Sequence, residues 1–238
     1  MTSHEIKISI VVPCHNSEKF LHKTIGLLYS NLNTEEELIL VENGSKDNTF
    51  KVLQEFFGRE NSHKVKVIQS PKGLGIALKH GIDQARGRTI VFMQDDLPFG
   101  LQELEMARSL DVSDKYFILS KYHGNLRGLK LRKIQGLVFI FLREIILKLK
   151  VRDSQATFFG DSKIVKELAG ACQQKRFLIT LELIALARKS HVMIHEIPCD
   201  SLAISIRPTT LKFQDVIQMF LGLFQIKRYL NEVHIEKF

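Results

Sequence analysis

A repeating pattern in the first half of the chain constrains its fold more than anything else. Short apolar runs end in turn or polar residues, and a helical pattern follows each. Lys7–Val12 ends at Pro13, Leu38–Val41 leads into Glu42-Asn43-Gly44, Val65–Gln69 leads into Pro71, and Thr89–Met93 leads into Gln94-Asp95-Asp96. Runs of this length, bounded by turn signals, read as buried strands. Between them, Ser17–Ser30 carries Phe20, Leu21, Ile25 and Leu28 at helical spacing. Asp47 can cap a helix through Phe57, and Gly75–Ala85 is a helix that Gly87 stops. A helix over Leu101–Leu110 and a strand over Tyr116–Ser120 extend the series. Strands alternating with helices predict an α/β fold, a mostly parallel sheet with helices on both faces.

The second half is mainly helical. Leu129–Leu149 is a long helical pattern, basic at its start (Lys130, Arg132, Lys133) and end (Lys148, Lys150). Arg152-Asp153-Ser154-Gln155 breaks it. Helices over Lys163–Ala169 and Leu178–Lys189, a strand over Val192–Ile197 and an amphipathic helix over Phe213–Leu230 follow. With no repeat and no low-complexity linker, 238 residues make one large domain, 1–205, and a helical tail, 206–238.

A net charge of +8 and a pI near 9.4 call for anionic partners: nucleic acid, anionic lipid or phosphorylated substrates. Zinc-finger spacing and aromatic RNA-binding signatures are absent, so no nucleic acid is expected and lipid headgroups and phosphates take precedence. Cys14, Cys172 and Cys199 form no C-x-x-C pair and imply neither a disulfide framework nor a zinc site, which suits a reducing compartment. The N-terminus shows no apolar signal region, and no segment reaches the roughly 18 apolar residues of a membrane span.

Chemistry concentrates where the strands end. Asp95 and Asp96 close a buried strand, where ligands sit in open α/β sheets, and a carboxylate pair there can hold a hard cation bridged to phosphate oxygens. The same pair can also simply open a loop or cap a helix. Pro13-Cys14-His15-Asn16-Ser17 is a tight turn that can face a base or ribose, with Asn16 or Ser17 also able to cap the next helix. Gly73 and Gly75 permit close backbone approach at a helix N-terminus, which favours anions, and Lys72 can meet a phosphate or stay solvated.

The order and spacing of these segments resemble the nucleotide-sugar half of a family 2 glycosyltransferase with the GT-A fold, and most nearly the dolichyl- or polyprenyl-phosphate sugar synthases. The likeness covers Ile6–Leu97 and continues through Ser120-Lys121-Tyr122, Arg132, Asp153-Ser154-Gln155 and Glu196-Ile197-Pro198. It implies a nucleotide-sugar half at 1–118, an acceptor half at 119–205, and a Rossmann-like sheet with C-terminal amphipathic helices. It places Pro13, His15, Asn16, Ser17, Glu42, Asn43, Ser45, Lys72, Gly73, Gly75, Gln94 and Asp95 around the nucleotide sugar. Asn43 takes the base-edge position. An Asn that both accepts and donates matches uracil and favours UDP over GDP; Asn43-Gly44 is equally a good turn. Against the D-x-D metal motif, Gln94 replaces the first Asp, Asp96 is the second and main ligand for Mg²⁺ or Mn²⁺, and Asp95 can supply the lost carboxylate. Lys121, Arg132 and Arg152 fall at phosphate-binding positions, and Asp153 in a motif partly shared with these enzymes, Ala156-Thr157-Phe158 replacing its Gly-Phe part.

The implied activity is metal-dependent, inverting transfer of a hexose, UDP-glucose being a fitting donor, to a polyprenyl or dolichyl phosphate, with Asp96, Asp95 and Asp153 at the reacting centre. The alternatives are transfer to a sugar or protein hydroxyl in cell-surface polysaccharide synthesis, with Asp153 as base, and a non-catalytic nucleotide-sugar-binding or membrane-scaffold protein. The lipid acceptor and the two basic-ended helices imply a peripheral protein on the cytoplasmic face of a membrane. The oligomeric state stays open, a dimer included.

Overall fold

Seven strands form one sheet in the order β3-β2-β1-β4-β6-β5-β7. The computed structural model describes residues 5–57, 64–121, 130–153, 155–200 and 213–235, with the backbone alone at 121, 130–135, 137 and 213–216. The strands are β1 (Ile8–Cys14), β2 (Glu36–Asn43), β3 (Val65–Ser70), β4 (Thr89–Phe92), β5 (Lys115–Lys121), β6 (Thr157–Asp161) and β7 (Met193–Cys199). The helices are α1 (Glu18–Ser30), α2 (Thr49–Phe57), α3 (Leu74–Gln84), α4 (Gln102–Ser109), α5 (Lys130–Leu147), α6 (Ser162–Ala171), α7 (Ile179–Lys189) and α8 (Phe213–Glu232).

The sheet is parallel except for β6, which runs antiparallel to both β4 and β5. Its side chains alternate between two cores, as the period of a strand requires. In β1, Ile8, Ile10, Val12 and Cys14 face a core shared with α1, α2 and α4. Val11 faces the other core, built from α3, α5, α6, α7 and α8. The expected α/β architecture is therefore observed, and the expected strands and helices all form with ends moved by a few residues.

One element was not expected. No strand is expected between Gln155 and Lys163, yet β6 lies inside the sheet between β4 and β5. Its Phe158 points to one core beside Phe92 and Tyr116, and its Phe159 points to the other, stacked on Phe117 at 4.7 Å. The last helix is no free appendage: Leu223 and Ile226 are fully buried, and Phe220 meets Phe139 of α5 edge to face at 5.9 Å.

Chain order sets where a ligand can sit. From β1 the chain moves outward to β2 and β3, and α3 then carries it back across β1 to β4. The connections leaving β1 and β4 therefore part at the carboxyl ends of adjacent strands, the crevice position in such sheets.

Candidate functional site

At that crevice the turn after β4 meets the turn after β1. Asp95 is 3% exposed and accepts hydrogen bonds from the His15 backbone N–H at 3.2 Å and from the Ser17 hydroxyl. Ser17 occupies the N-cap position of α1, but its side chain makes no capping bond; it is committed to Asp95. The cap expected from Ser17 is replaced by a tie between the two turns.

Asp96 is half-buried beside it. The turn that presents it closes through Leu97 N–H to Gln94 O at 3.1 Å, with Leu97 at φ 44°. Asn16 in the facing turn has φ 51°. Left-handed backbone at non-glycine residues is costly and collects at functional sites. Here it occurs in both turns that border the crevice.

The turn after β2 packs against the turn after β1. Asn16 Oδ1 accepts from Lys46 N–H at 2.8 Å, and Ser45 Oγ accepts from Asn16 N–H at 3.1 Å. Glu42 accepts from Ser45 N–H at 2.5 Å. The His15 ring lies 2.7 Å by Nδ1 from Asn43 O, and a carbonyl can only accept, so Nδ1 carries the proton and Nε2 accepts from Asn16 Nδ2 at 3.1 Å. Asp47 joins the starts of α1 and α2, accepting from Thr49 N–H, Thr49 Oγ1 and Glu18 N–H. Burial alone would raise its pKa, but these bonds outweigh it and hold the carboxyl below its ordinary value.

Two expectations change in meaning. Asn43 Oδ1 accepts from Gly73 N–H at 2.6 Å, so the side chain first ties the turn after β2 to the start of α3, with its Nδ2 donor and the second lone pair of Oδ1 left for a base. Gly73 and Gly75 do permit a close backbone approach, but the backbone that approaches is the chain's own. Gly75 N–H donates to Lys175 O at 3.0 Å. A Cβ at Gly75 would lie 2.2 Å from Gln174 O, and one at Gly73 2.5 Å from Lys175 O. The α6–α7 loop therefore occupies the start of α3, while Lys72 is exposed next to it.

The loop between α5 and β6 reaches the same crevice. Gln94 Nε2 donates to Gln155 O at 3.2 Å, and Asp153 Oδ1 accepts from Gln155 N–H at 2.8 Å. Arg152 is exposed, and its N–H donates to Glu196 Oε1 at 2.7 Å. The structure thus brings Gln94, Asp95, Asp96, His15, Ser17 and the Asp153–Gln155 turn together. Lys121 ends β5 and Arg132 lies in α5, but their side chains, like Ser154 and Tyr122, fall outside the described residues.

Among the described residues no three His, Cys, Asp or Glu side chains gather into a cation site. With Asp95 tied to the facing turn, Asp96 is the protein oxygen suited to a hard cation, whose remaining ligands would come from a diphosphate and water. That donor set fits Mg²⁺ or Mn²⁺.

Glu103 and Arg143 are among the buried charged groups that sequence reasoning missed. Glu103 of α4 is fully buried and accepts from the Thr157 hydroxyl at 2.9 Å. Burial, opposed by its backbone and Thr157 hydrogen bonds, pushes its pKa up to about 7. Arg143 of α5 is 1% exposed. Its spacing of four from both Phe139 and Leu147 was the available signal that it faces inward.

Known proteins resemble this chain in sequence and in fold. The sequence model described as Glycosyl transferase family 2 matches residues 9–164. Dolichyl-phosphate beta-glucosyltransferase ALG5C of Trichomonas vaginalis is 25% identical over 95% of this chain and 72% of its own length. Undecaprenyl-phosphate 4-deoxy-4-formamido-L-arabinose transferase of Proteus mirabilis is 34% identical over 38% of this chain and 29% of its own. Among solved structures, glucosyl-3-phosphoglycerate synthase from Mycobacterium tuberculosis, in complex with Mn²⁺, UDP-glucose and phosphoglyceric acid, superposes with a TM-score of 0.70. It is 15% identical and covers 96% of this chain and 81% of its own.

Proposed function

The chain belongs to glycosyl transferase family 2, and from that premise we propose that it moves a hexose from a UDP-sugar, UDP-glucose above all, to the phosphate of a polyprenyl or dolichyl phosphate. The observation that carries the reading is the meeting of three turns at one crevice: Asp96 beside the buried Asp95, the His15–Ser17 turn, and the Asp153–Gln155 turn. The relatives that act on dolichyl phosphate and align over nearly the whole chain support the choice of acceptor.

The residues divide the work by position. Asp95 accepts from both His15 and Ser17 and so fixes the nucleotide-side turn against the turn carrying Asp96. Rigid placement of charged groups before reaction is the main source of catalysis when the nucleophile needs no activation. An acceptor phosphate is already an anion, so no strong base is required, and a single in-line displacement inverts the anomeric carbon. Mg²⁺ or Mn²⁺ held by Asp96 would neutralise charge on the departing diphosphate. Gln94, in place of a first carboxylate, spans to Gln155 and sets the donor turn against the acceptor loop.

The acceptor is a membrane lipid, and two helices offer a surface for it. Val138, Phe141 and Ile145 of α5 are 43%, 62% and 56% exposed, and Ile217, Leu221 and Phe224 of α8 are 45%, 57% and 59% exposed. Each trio lies on one side of a helix whose other side is packed. No helix among the described residues is long and apolar enough to cross a membrane. Apolar stripes on a basic protein suit docking to the cytoplasmic face of an anionic bilayer.

The test is a panel of UDP- and GDP-sugars with a polyprenyl phosphate and Mg²⁺ or Mn²⁺. Label from UDP-glucose should enter the organic phase and stop on chelation. Absence of label from the lipid with every donor would sink the proposal.

A further inference from the structure

The Asp95–Asp96 turn belongs to a connection that is fastened to the start of β6 at both of its ends. At the first end Gln94 Nε2 donates to Gln155 O at 3.2 Å. At the second end the Thr157 hydroxyl donates to Glu103 Oε1 at 2.9 Å. Between them, Leu97 N–H donates to Gln94 O, Gly100 N–H to Leu97 O and Gln102 N–H to Phe99 O, so consecutive turns carry the chain from β4 into α4. Met93, Leu97 and Phe99 anchor the underside of the connection in the core. The two ties differ in kind. Gln94 is partly exposed, whereas Glu103 and Thr157 are both fully enclosed.

A carboxyl so enclosed is costly as an anion unless a cation compensates it. Its surroundings among the described residues supply little compensation. Oε2 is buried and bonds to no other described residue. β4 presents no titratable side chain, and Asp161 stands at the far end of β6. β7 brings Cys199 into the same core and sets His195 against Phe117. Burial first, then Glu103 and Asp200, raise the Cys199 thiol. On α4 itself Arg108 is bound to Glu36, and Glu105 is exposed. Lys121 ends β5 with its side chain outside the described residues. Burial pushes the Glu103 carboxyl up to about 7, so below that pH the neutral form, with its proton on Oε2, carries the tie.

We propose that Glu103 is a positioning residue for transfer: acting through Thr157, it holds the connection that carries Asp95 and Asp96 against the start of β6. It works at one remove from the reacting atoms. Loss of its proton leaves an uncompensated charge in the core, which is relieved when water reaches the carboxylate and the connection loosens. A shift of about 1 Å in a group such as Asp96 is enough to slow a positioned reaction by up to about a hundredfold. The assignment rests on the glycosyltransferase reading, because transfer is the reaction that the connection serves.

Transfer from a UDP-sugar to a polyprenyl phosphate tests it, measured from about pH 6 to about pH 8.5 for wild type, Glu103→Gln, Thr157→Val and Thr157→Ser. Amide hydrogen exchange of residues 94–103, corrected for its intrinsic pH dependence, is read in parallel. Glutamine keeps an acceptor for Thr157 and does not ionise. The acceptor phosphate titrates in the same range, so the ratio of the two proteins is the quantity to follow. The kcat of Glu103→Gln relative to wild type should climb about tenfold as pH rises through about 7, and exchange at 94–103 should quicken in wild type alone. At about pH 6, Thr157→Val should lower kcat about tenfold with KM nearly unchanged, and Thr157→Ser should restore most of the loss. A merely structural Glu103 would move the melting curve and leave these ratios flat. A flat ratio, or a folded Thr157→Val that turns over like wild type, overturns the assignment. If Thr157→Val does not fold, Glu103→Gln decides alone. Wild type that transfers from no donor strikes instead at the glycosyltransferase reading, and hydrogen exchange, which needs no turnover, then decides whether Glu103 holds the connection.

Discussion

Asp95 is enclosed by the His15 N–H and the Ser17 hydroxyl, whereas Asp96 is half-buried at the crevice. Replacing Asp96 by Asn should therefore abolish transfer with Mg²⁺ or Mn²⁺ while leaving the circular dichroism and melting curve near wild type. Near-normal turnover would remove Asp96 from the reacting centre. Glu103 makes a prediction about pH. Its carboxyl titrates near 7 in the folded chain against an ordinary 4.5, so the folded state keeps its proton longer than the unfolded state. Its stabilising contribution is full below pH 4.5 and is lost as pH rises through 7. Glu103→Gln should be more stable than wild type at pH 8, by on the order of 3 kcal/mol, and equal to it near pH 4. Urea unfolding at the two pH values measures this, and parallel curves would refute it. Polar residues at strand ends were legible in the sequence because the crevice is a property of the topology. Which of them bond to each other was not: the Ser17–Asp95 tie joins positions 78 apart in the chain.

At the scale of elements, local pattern and long-range contact gave different yields. β1, β2 and β4 are visible as apolar runs because both of their faces are buried. β6 escaped notice because Thr157-Phe158-Phe159-Gly160-Asp161 is short, follows a polar break and pairs antiparallel to strands distant in sequence. The glycines before and inside α3 were seen as a place of close approach, but their partner is a loop a hundred residues on, beyond the reach of any periodicity. That contact is testable. Gly75→Ala forces a methyl against Gln174 O and should cost about 1–3 kcal/mol, the usual scale of overpacking. Denaturant midpoints measure it, and a neutral result would show that the α6–α7 loop yields freely.

For the whole molecule, charge and exposed apolar area act together. The protein should bind vesicles containing anionic lipid more weakly as salt rises, because its +8 net charge is screened. Phe141→Gln with Phe224→Gln should weaken binding several-fold yet leave the melting temperature nearly unchanged, since both rings are more than half exposed. Flotation that is insensitive to both salt and the paired change would count against membrane docking. The placement of β6 reaches beyond equilibrium to the time of synthesis. Residues 157–161 fill the gap between β4 and β5, so a nascent chain that has emerged only as far as β5 still has one side of β4 unpaired. An unpaired strand edge is a template for pairing with other chains. The first five strands, complete in sequence at Lys121, must therefore wait for about forty residues more before the gap beside β4 is filled. A truncation in that interval would release a chain with one side of β4 open to pairing with other chains.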